Sequence, residues 1–204
     1  MRRLFIVLGI LFCFANSASA ENPRVVLETE LGDIIIEVMI DQAPISGGDF
    51  LTYVEQDLYP GEGFYRVVKS AENDNGTPKI DVIQGGILAE GMGLETVAHE
   101  TTEATGIEHT DGTISLARGD VGTGSAAYFF ITVGTQPSLD FGGTRNPDQQ
   151  GFAAFGRVVD GMDVIRKIHN LSAEHFEQGE GYIAGQLLKE PVRFTGARVL
   201  AAED

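Results

Sequence analysis

Apolar and polar residues alternate through "RVVLETELGDIIIEVMI", residues 24–40. Two runs rich in Val and Ile flank Leu31-Gly32-Asp33. A period of two with β-branched side chains marks strands that bury one face. Glycine supplies the positive φ of a tight turn, so a hairpin is predicted here. The period then changes. In "APISGGDFLTYVEQDL" the residues Phe50, Leu51, Val54 and Leu58 share one helical face. Ser46 is the expected N-cap, with Asp49 in the first turn to meet the helix dipole. Strand signals return at 63–68, 81–83, 113–118, 128–133 and 152–158. A second helix is predicted over 160–168, where apolar residues stand at 162, 165 and 168, and "RFTGARVL" is a last strand.

Eight strands and two helices without strand–helix alternation exclude a parallel sheet. An antiparallel sheet of this size must protect its edges, and closure does so completely. The predicted fold is therefore mostly β, a closed eight-stranded antiparallel barrel capped by two α-helices. Segments 69–80, 89–111, 134–150 and 171–192 are rich in Gly, Asp, Glu, Asn and Thr and read as long loops. Long loops on a rigid barrel are where sites are usually built.

The start of the chain has a different character. Arg2 and Arg3 precede the apolar run "LFIVLGILFCFA", and Ala18-Ser19-Ala20 follows as a small-x-small cleavage site. This is the pattern of a secretory signal peptide over residues 1–20, which leaves 21–204 as a single domain. The apolar run is shorter than the ~20 residues a membrane-spanning helix needs, so stable membrane insertion after cleavage is not expected. Removing the leader also removes Cys13, the one cysteine, so neither a disulfide nor a thiolate–zinc site is expected. A periplasmic or secreted monomer is the resulting expectation. Two sequons, at Asn75 and Asn170, keep a eukaryotic extracellular setting open beside a bacterial periplasm. The net charge of −16 becomes two units more negative without Arg2 and Arg3. Such a surface repels nucleic acid and anionic membrane, which removes both as partners.

Familiar chemical motifs are few. No GxxxxGK[ST] loop occurs, and "GTGSAA" lacks the GxSxG spacing of a serine elbow. His99, Glu100, Glu103 and His109 lie close in sequence but match no metal-ligand spacing, so a solvated acidic loop is the better reading. One residue stands out instead. Arg66 sits inside "GFYRVV", an otherwise apolar strand, where a guanidinium that cannot lose its proton needs a partner. Taken alone, its head could simply reach water or a carboxylate.

The order of the surrounding segments changes that view. "FYRVV" is followed by "VIQGG", "GTISLAR", "YFFITVG" and "FAAFGRVVDGMDV", with "ETELGDIIIEV" and "APISGGDFLTYV" upstream. Together they resemble the cyclophilin family of peptidyl-prolyl cis-trans isomerases, the secreted bacterial members above all. The likeness runs from about Val25 to His169 and returns at the final strand. It implies the closed eight-stranded barrel reached independently from periodicity. It also implies isomerisation of Xaa-Pro bonds in proline-containing segments of exported, unfolded proteins, without nucleophile, metal or cofactor. Arg66 corresponds to the family's catalytic arginine, and Gln84 to the glutamine that holds it and the substrate carbonyl. Phe130 matches the floor of the proline pocket, with Val82 and Leu139 as aliphatic walls. Ala117 and Arg118 match the edge whose backbone pairs with the peptide, and Phe152 falls where the family carries a His or Tyr. Asp81, Tyr128 and Ser138 depart from the usual residues, so Asp81 is expected to put a charge where an apolar wall would stand. Two other readings stay open at this point. One is a cyclophilin-fold peptide-binding module or holdase with little or no turnover, and the other is a barrel with an unrelated ligand.

Overall fold

The computed structural model describes residues 21–87, 93–174 and 181–201, so the leader expected over 1–20 lies outside the described residues. The first hairpin joins β1 (Arg24–Thr29) to β2 (Gly32–Val38), with Thr29 paired to Gly32. Its turn is Glu30–Leu31, one residue earlier than the glycine suggests, and Gly32 opens β2 at a φ of 133°. The remaining strands are β3 (Gly63–Val68), β4 (Val82–Gly86), β5 (Thr113–Leu116), β6 (Tyr128–Thr132), β7 (Ala153–Asp160), the two-residue β8 (Ala173–Glu174) and β9 (Leu187–Val199). Their order is β1-β2-β7-β5-β6-β4-β3-β9, every pairing is antiparallel, and β9 returns to β1. The eight-stranded barrel is closed, and β8 hangs from the outer end of β9.

Alternation along each strand fills the interior with rings. Phe64, Phe129, Phe155 and Phe194 point inward and are fully or almost fully buried, joined by Phe50 and Tyr59. Phe129 meets Phe50, Tyr59 and Phe64 edge-on at centroid distances of 5.6–5.9 Å, the arrangement in which ring quadrupoles attract. Helix α1 (Pro44–Glu55) buries Phe50, Tyr53 and Val54 and packs against β7 and β9. Helix α3 (Met162–His169) buries Val164, Ile165 and Ile168 and packs against β2, β3 and β4.

Four local expectations are corrected. Helix α1 begins at Pro44 with Ala43 as its N-cap, and Ser46 is buried inside the first turn instead of capping it. Proline is favoured at a first helical position, because its missing N–H would have lacked a partner there. The free N–H groups of Ile45 and Ser46 are met by the Glu100 carboxylate at 3.2 and 2.7 Å. Asp49 likewise does not serve the helix start; its carboxylate accepts the Ala126 N–H at 2.6 Å. A further one-turn helix, α2 (Thr102–Thr105), lies within the segment read as loop. The last strand begins at Leu187, six residues before the predicted start. Pro191 disguises it, sitting where the β3–β9 register shifts and a ladder N–H is not needed. Among the described residues no helix is long and apolar enough to cross a membrane.

Candidate active site

The outer faces of β3, β4 and β6 carry the residues that their inner faces exclude. Arg66 pairs with Gln84 across the β3–β4 ladder, and Gln84 with Phe130 across β4–β6, so the three form one row. The next row, Val67, Ile83 and Ile131, points into the barrel. Val68 and Val82 then face outward again. Glycine is required beside Gln84: a Cβ on Gly86 would overlap the Ala127 carbonyl, and one on Gly85 would stand 2.7 Å from the Phe64 ring. The "VIQGG" segment is thus tight because the barrel wall is tight.

Around this row lies a groove of about 440 Å³. Its floor and apolar walls are Val68, Ile80, Val82, Phe130 and Leu139, a cluster separate from the barrel core, with Ala117 and Phe152 packed on it. Arg66, Gln84 and Arg118 complete the strand side, so all eight residues expected from sequence line one space. Gly76, Thr77, Asn146 and Pro147 close it from the loop side.

The guanidinium of Arg66 is held on two edges. Its Nη1 donates to Gln84 Oε1 at 2.6 Å, while Nε and Nη2 both donate to Gln186 Oε1 at 2.9 and 2.6 Å. Gln84 Nε2 donates to the Tyr65 hydroxyl at 2.9 Å. Burial pushes the Tyr65 phenol up to about 12, against the opposing pull of Arg66, so it keeps its proton at neutral pH. Arg118, expected only as an edge residue, uses its side chain to fasten a loop. It grips Asp148 with two nitrogens at 2.8 and 2.9 Å, donates to the Gly151 carbonyl, and lies 5.4 Å above the Phe152 ring. The pair with Arg118 draws the Asp148 carboxyl down to about 2.

The floor is supported from below. Fully buried His109 lies parallel to Phe130 at 5.8 Å, with Nδ1 2.7 Å from Asp140 Oδ1 and Nε2 2.8 Å from Ser115 Oγ. Ser, His and Asp meet here, yet Ser115 has no exposed surface, so its hydroxyl supports the floor and is not positioned to attack a substrate. The four acidic and imidazole residues read as a solvated loop are dispersed: Glu100 caps α1, Glu103 stands in the first turn of α2, His99 meets the Gln150 carbonyl, and His109 is buried.

The loop side is where sequence reasoning missed most. Asp74 and Arg145 form a two-pronged ion pair at 2.7 and 2.8 Å, with 0% and 2% of their side chains exposed. Asp74 also accepts the N–H groups of Gly76 and Ile80 at 2.8 and 2.7 Å, so segment 69–80 is strapped to segment 134–150 across the groove. Asp81 does not face the groove. Its Oδ1 accepts Ser70 N–H at 3.0 Å and lies 3.5 Å from His169 Nε2, because strand alternation turns it away from Val82. Ile80, 6% exposed, provides the apolar wall that Asp81 was expected to remove. Tyr128 is 41% exposed and Ser138 half-buried, and neither lines the groove.

A family profile described as "Cyclophilin type peptidyl-prolyl cis-trans isomerase/CLD" matches residues 24–186. The chain belongs to the cyclophilin family. A peptidyl-prolyl cis-trans isomerase of Acinetobacter baylyi is 31% identical over 201 residues, covering 98% of this chain and 96% of that one. Peptidyl-prolyl cis-trans isomerase B of Escherichia coli is 34% identical over 152 residues, covering 72% and 85%. The cyclophilin barrel also recurs in a solved isomerase of this type from Cryptosporidium parvum, at a TM-score of 0.67 and 18% identity over 89% of this chain and 99% of that one. A second structure of that isomerase was solved in the presence of the dipeptide Ala-Pro. The chain is a cyclophilin-type peptidyl-prolyl isomerase.

Proposed function

We propose that this cyclophilin accelerates Xaa-Pro isomerisation in exported proteins as they fold, with Arg66 as its catalytic residue. Turning a peptide bond breaks amide resonance, a barrier of ~18–20 kcal/mol, and uncatalysed Xaa-Pro exchange takes tens of seconds or longer. No bond is made or cleaved, so the site must only bind the twisted amide better than either planar form. Twisting makes the proline nitrogen pyramidal and gives it a localised lone pair. A permanently charged donor in a fixed place stabilises that state alone.

The observation that carries the reading is the guanidinium of Arg66, locked by two glutamines beside an apolar groove floored by Phe130. The proline ring lies on Phe130 between Val82, Leu139 and Phe152, and Gln84 meets the substrate carbonyl. The peptide backbone runs along the edge at Ala117 and Arg118. The altered residues that favoured a binding module on sequence alone do not weaken the groove, since Ile80 walls it. The leader pattern supports work in the periplasm or outside the cell, and we read the working form as a monomer.

Isomer exchange on a short Xaa-Pro peptide, followed by NMR, tests the assignment. Arg66→Ala is expected to lower kcat/KM at least tenfold, equivalent to ~1.4 kcal/mol, with little change in Tm. Arg66→Lys should not restore it, because a point charge lacks the fork that engages both glutamines. Full activity in Arg66→Ala would refute the catalytic role. For export, the processed chain is expected in the periplasmic fraction or the medium, and retention of an uncleaved chain in the cytoplasm would refute it.

A further inference from the structure

Gln186 lies 120 residues from Arg66 in sequence and has no exposed surface. Its single carboxamide oxygen takes two N–H groups of Arg66, on the edge of the guanidinium that Gln84 does not touch. With Gln84 alone, the head would be held through Nη1 and could pivot about that bond. With both, its plane is fixed.

The orientation of the Gln186 amide is itself enforced. Its Nε2 donates to the Asn73 carbonyl at 2.8 Å, which directs the oxygen to Arg66; turned over, the amide would set two donors against each other. Asn73 is fixed in turn. Its Oδ1 accepts Lys69 N–H at 2.7 Å, and its Nδ2 donates to the carbonyls of Gly185 and Val67 at 2.9 and 3.2 Å. The Gln186 carbonyl accepts Val67 N–H at 2.9 Å, tying the same residue to the strand that carries Arg66. A neutral amide also leaves the charge of the guanidinium undiminished, where a carboxylate would offset it.

We infer that Gln186 is a positioning residue for Arg66, aligned by Asn73, so that the 69–80 loop governs turnover as well as lining the groove. The inference rests on the catalytic reading of Arg66. Its consequence is specific: Gln186 acts on the rate only through Arg66.

A double-mutant cycle on the full chain reads this directly. Gln186→Leu keeps the volume and deletes the acceptor, and Gln186→Glu keeps acceptor oxygens while adding charge, in case the first variant folds poorly. Both are expected to lower kcat at least tenfold in peptide exchange, with KM within about twofold. In the Arg66→Ala background the same substitutions should change kcat by less than twofold. Wild-type kcat in folded Gln186→Leu or Gln186→Glu, beside a crippled Arg66→Ala, would overturn the inference alone. An equal loss in both backgrounds would also overturn it, by showing an effect independent of Arg66. Full activity in Arg66→Ala would overturn the catalytic reading and this inference together.

Discussion

Phe129 and Phe130 are neighbours on one strand and belong to different structures. Phe129 is fully buried and packs among Phe50, Tyr59, Phe64 and Phe194, drawn from α1, the α1–β3 connection, β3 and β9. Phe130 meets two rings, His109 and Phe152, and otherwise faces the groove. The inner face belongs to one continuous buried cluster of apolar side chains. The outer face is a single layer whose missing walls come from two loops. Those loops are fixed by directional polar bonds, above all Asp74 with Arg145 and Arg118 with Asp148. Apolar packing therefore lies on one side of the sheet, and on the other a groove held in shape by polar bonds.

The sharpest way to break this contrast is to remove one ring from each face. Phe129→Ala should cost ~3–5 kcal/mol in chemical denaturation, because its cavity is closed on all sides. Phe130→Ala opens its hole to the groove, where water can enter. It should cost less stability yet lower kcat/KM at least tenfold in the peptide assay. Equal losses of stability would refute the division.

Next in size is the strap. Arg145→Met leaves the Asp74 carboxylate buried without its counter-charge, at a cost of ~3 kcal/mol. Melting followed by NMR should show the 69–80 loop loosening while the barrel rings keep their native shifts. Acid probes the same bond. Burial works to raise the Asp74 carboxyl, but the bonds from Arg145, Gly76 and Ile80 outweigh it and hold the group below its ordinary value. A depressed folded value means the stabilisation is complete above the unfolded value of ~3.9 and is lost as pH falls through the folded one. Peptide affinity should therefore hold down to about pH 4 and fail below it, with the loop releasing first; loss near pH 6 would point to another group.

The smallest effect belongs to Gly76, where a Cβ would overlap the guanidinium of Arg145. Arg145 is pinned and cannot move aside freely, so Gly76→Ala should cost ~1 kcal/mol. It should raise KM while leaving kcat near wild type, which peptide titration would separate.

These regions were unequally legible in the sequence. Strands such as 63–68 and 128–132 announce themselves because the barrel is built from local alternation, and Arg66 is conspicuous because it interrupts one. The faces of single residues are harder. Asp81 was placed in the wall, yet one step along a strand reverses the side, and Ile80 and Val82 hold the groove. At the start of α1 the sequence points to Ser46, whereas the carboxylate that meets the first free N–H groups, Glu100, lies 54 residues away from Ser46. Gln186, Asn73 and the Asp74–Arg145 pair have no local signature, because their partners are brought to them only by the finished fold.

The pairing of β1 with β9 has a consequence for how the molecule is made. Val25 lies beside Val199, so β1 waits until β9 has been made before it gains its second neighbour. Until then one edge of β1 and one edge of β3 stand open, and Gln186 has not yet arrived behind Arg66. Contacts so distant in sequence are closed late and slowly. A nascent chain of this protein carries most of its groove before it carries a closed barrel, and the guanidinium of Arg66 gains its second holder only once Gln186 has been added.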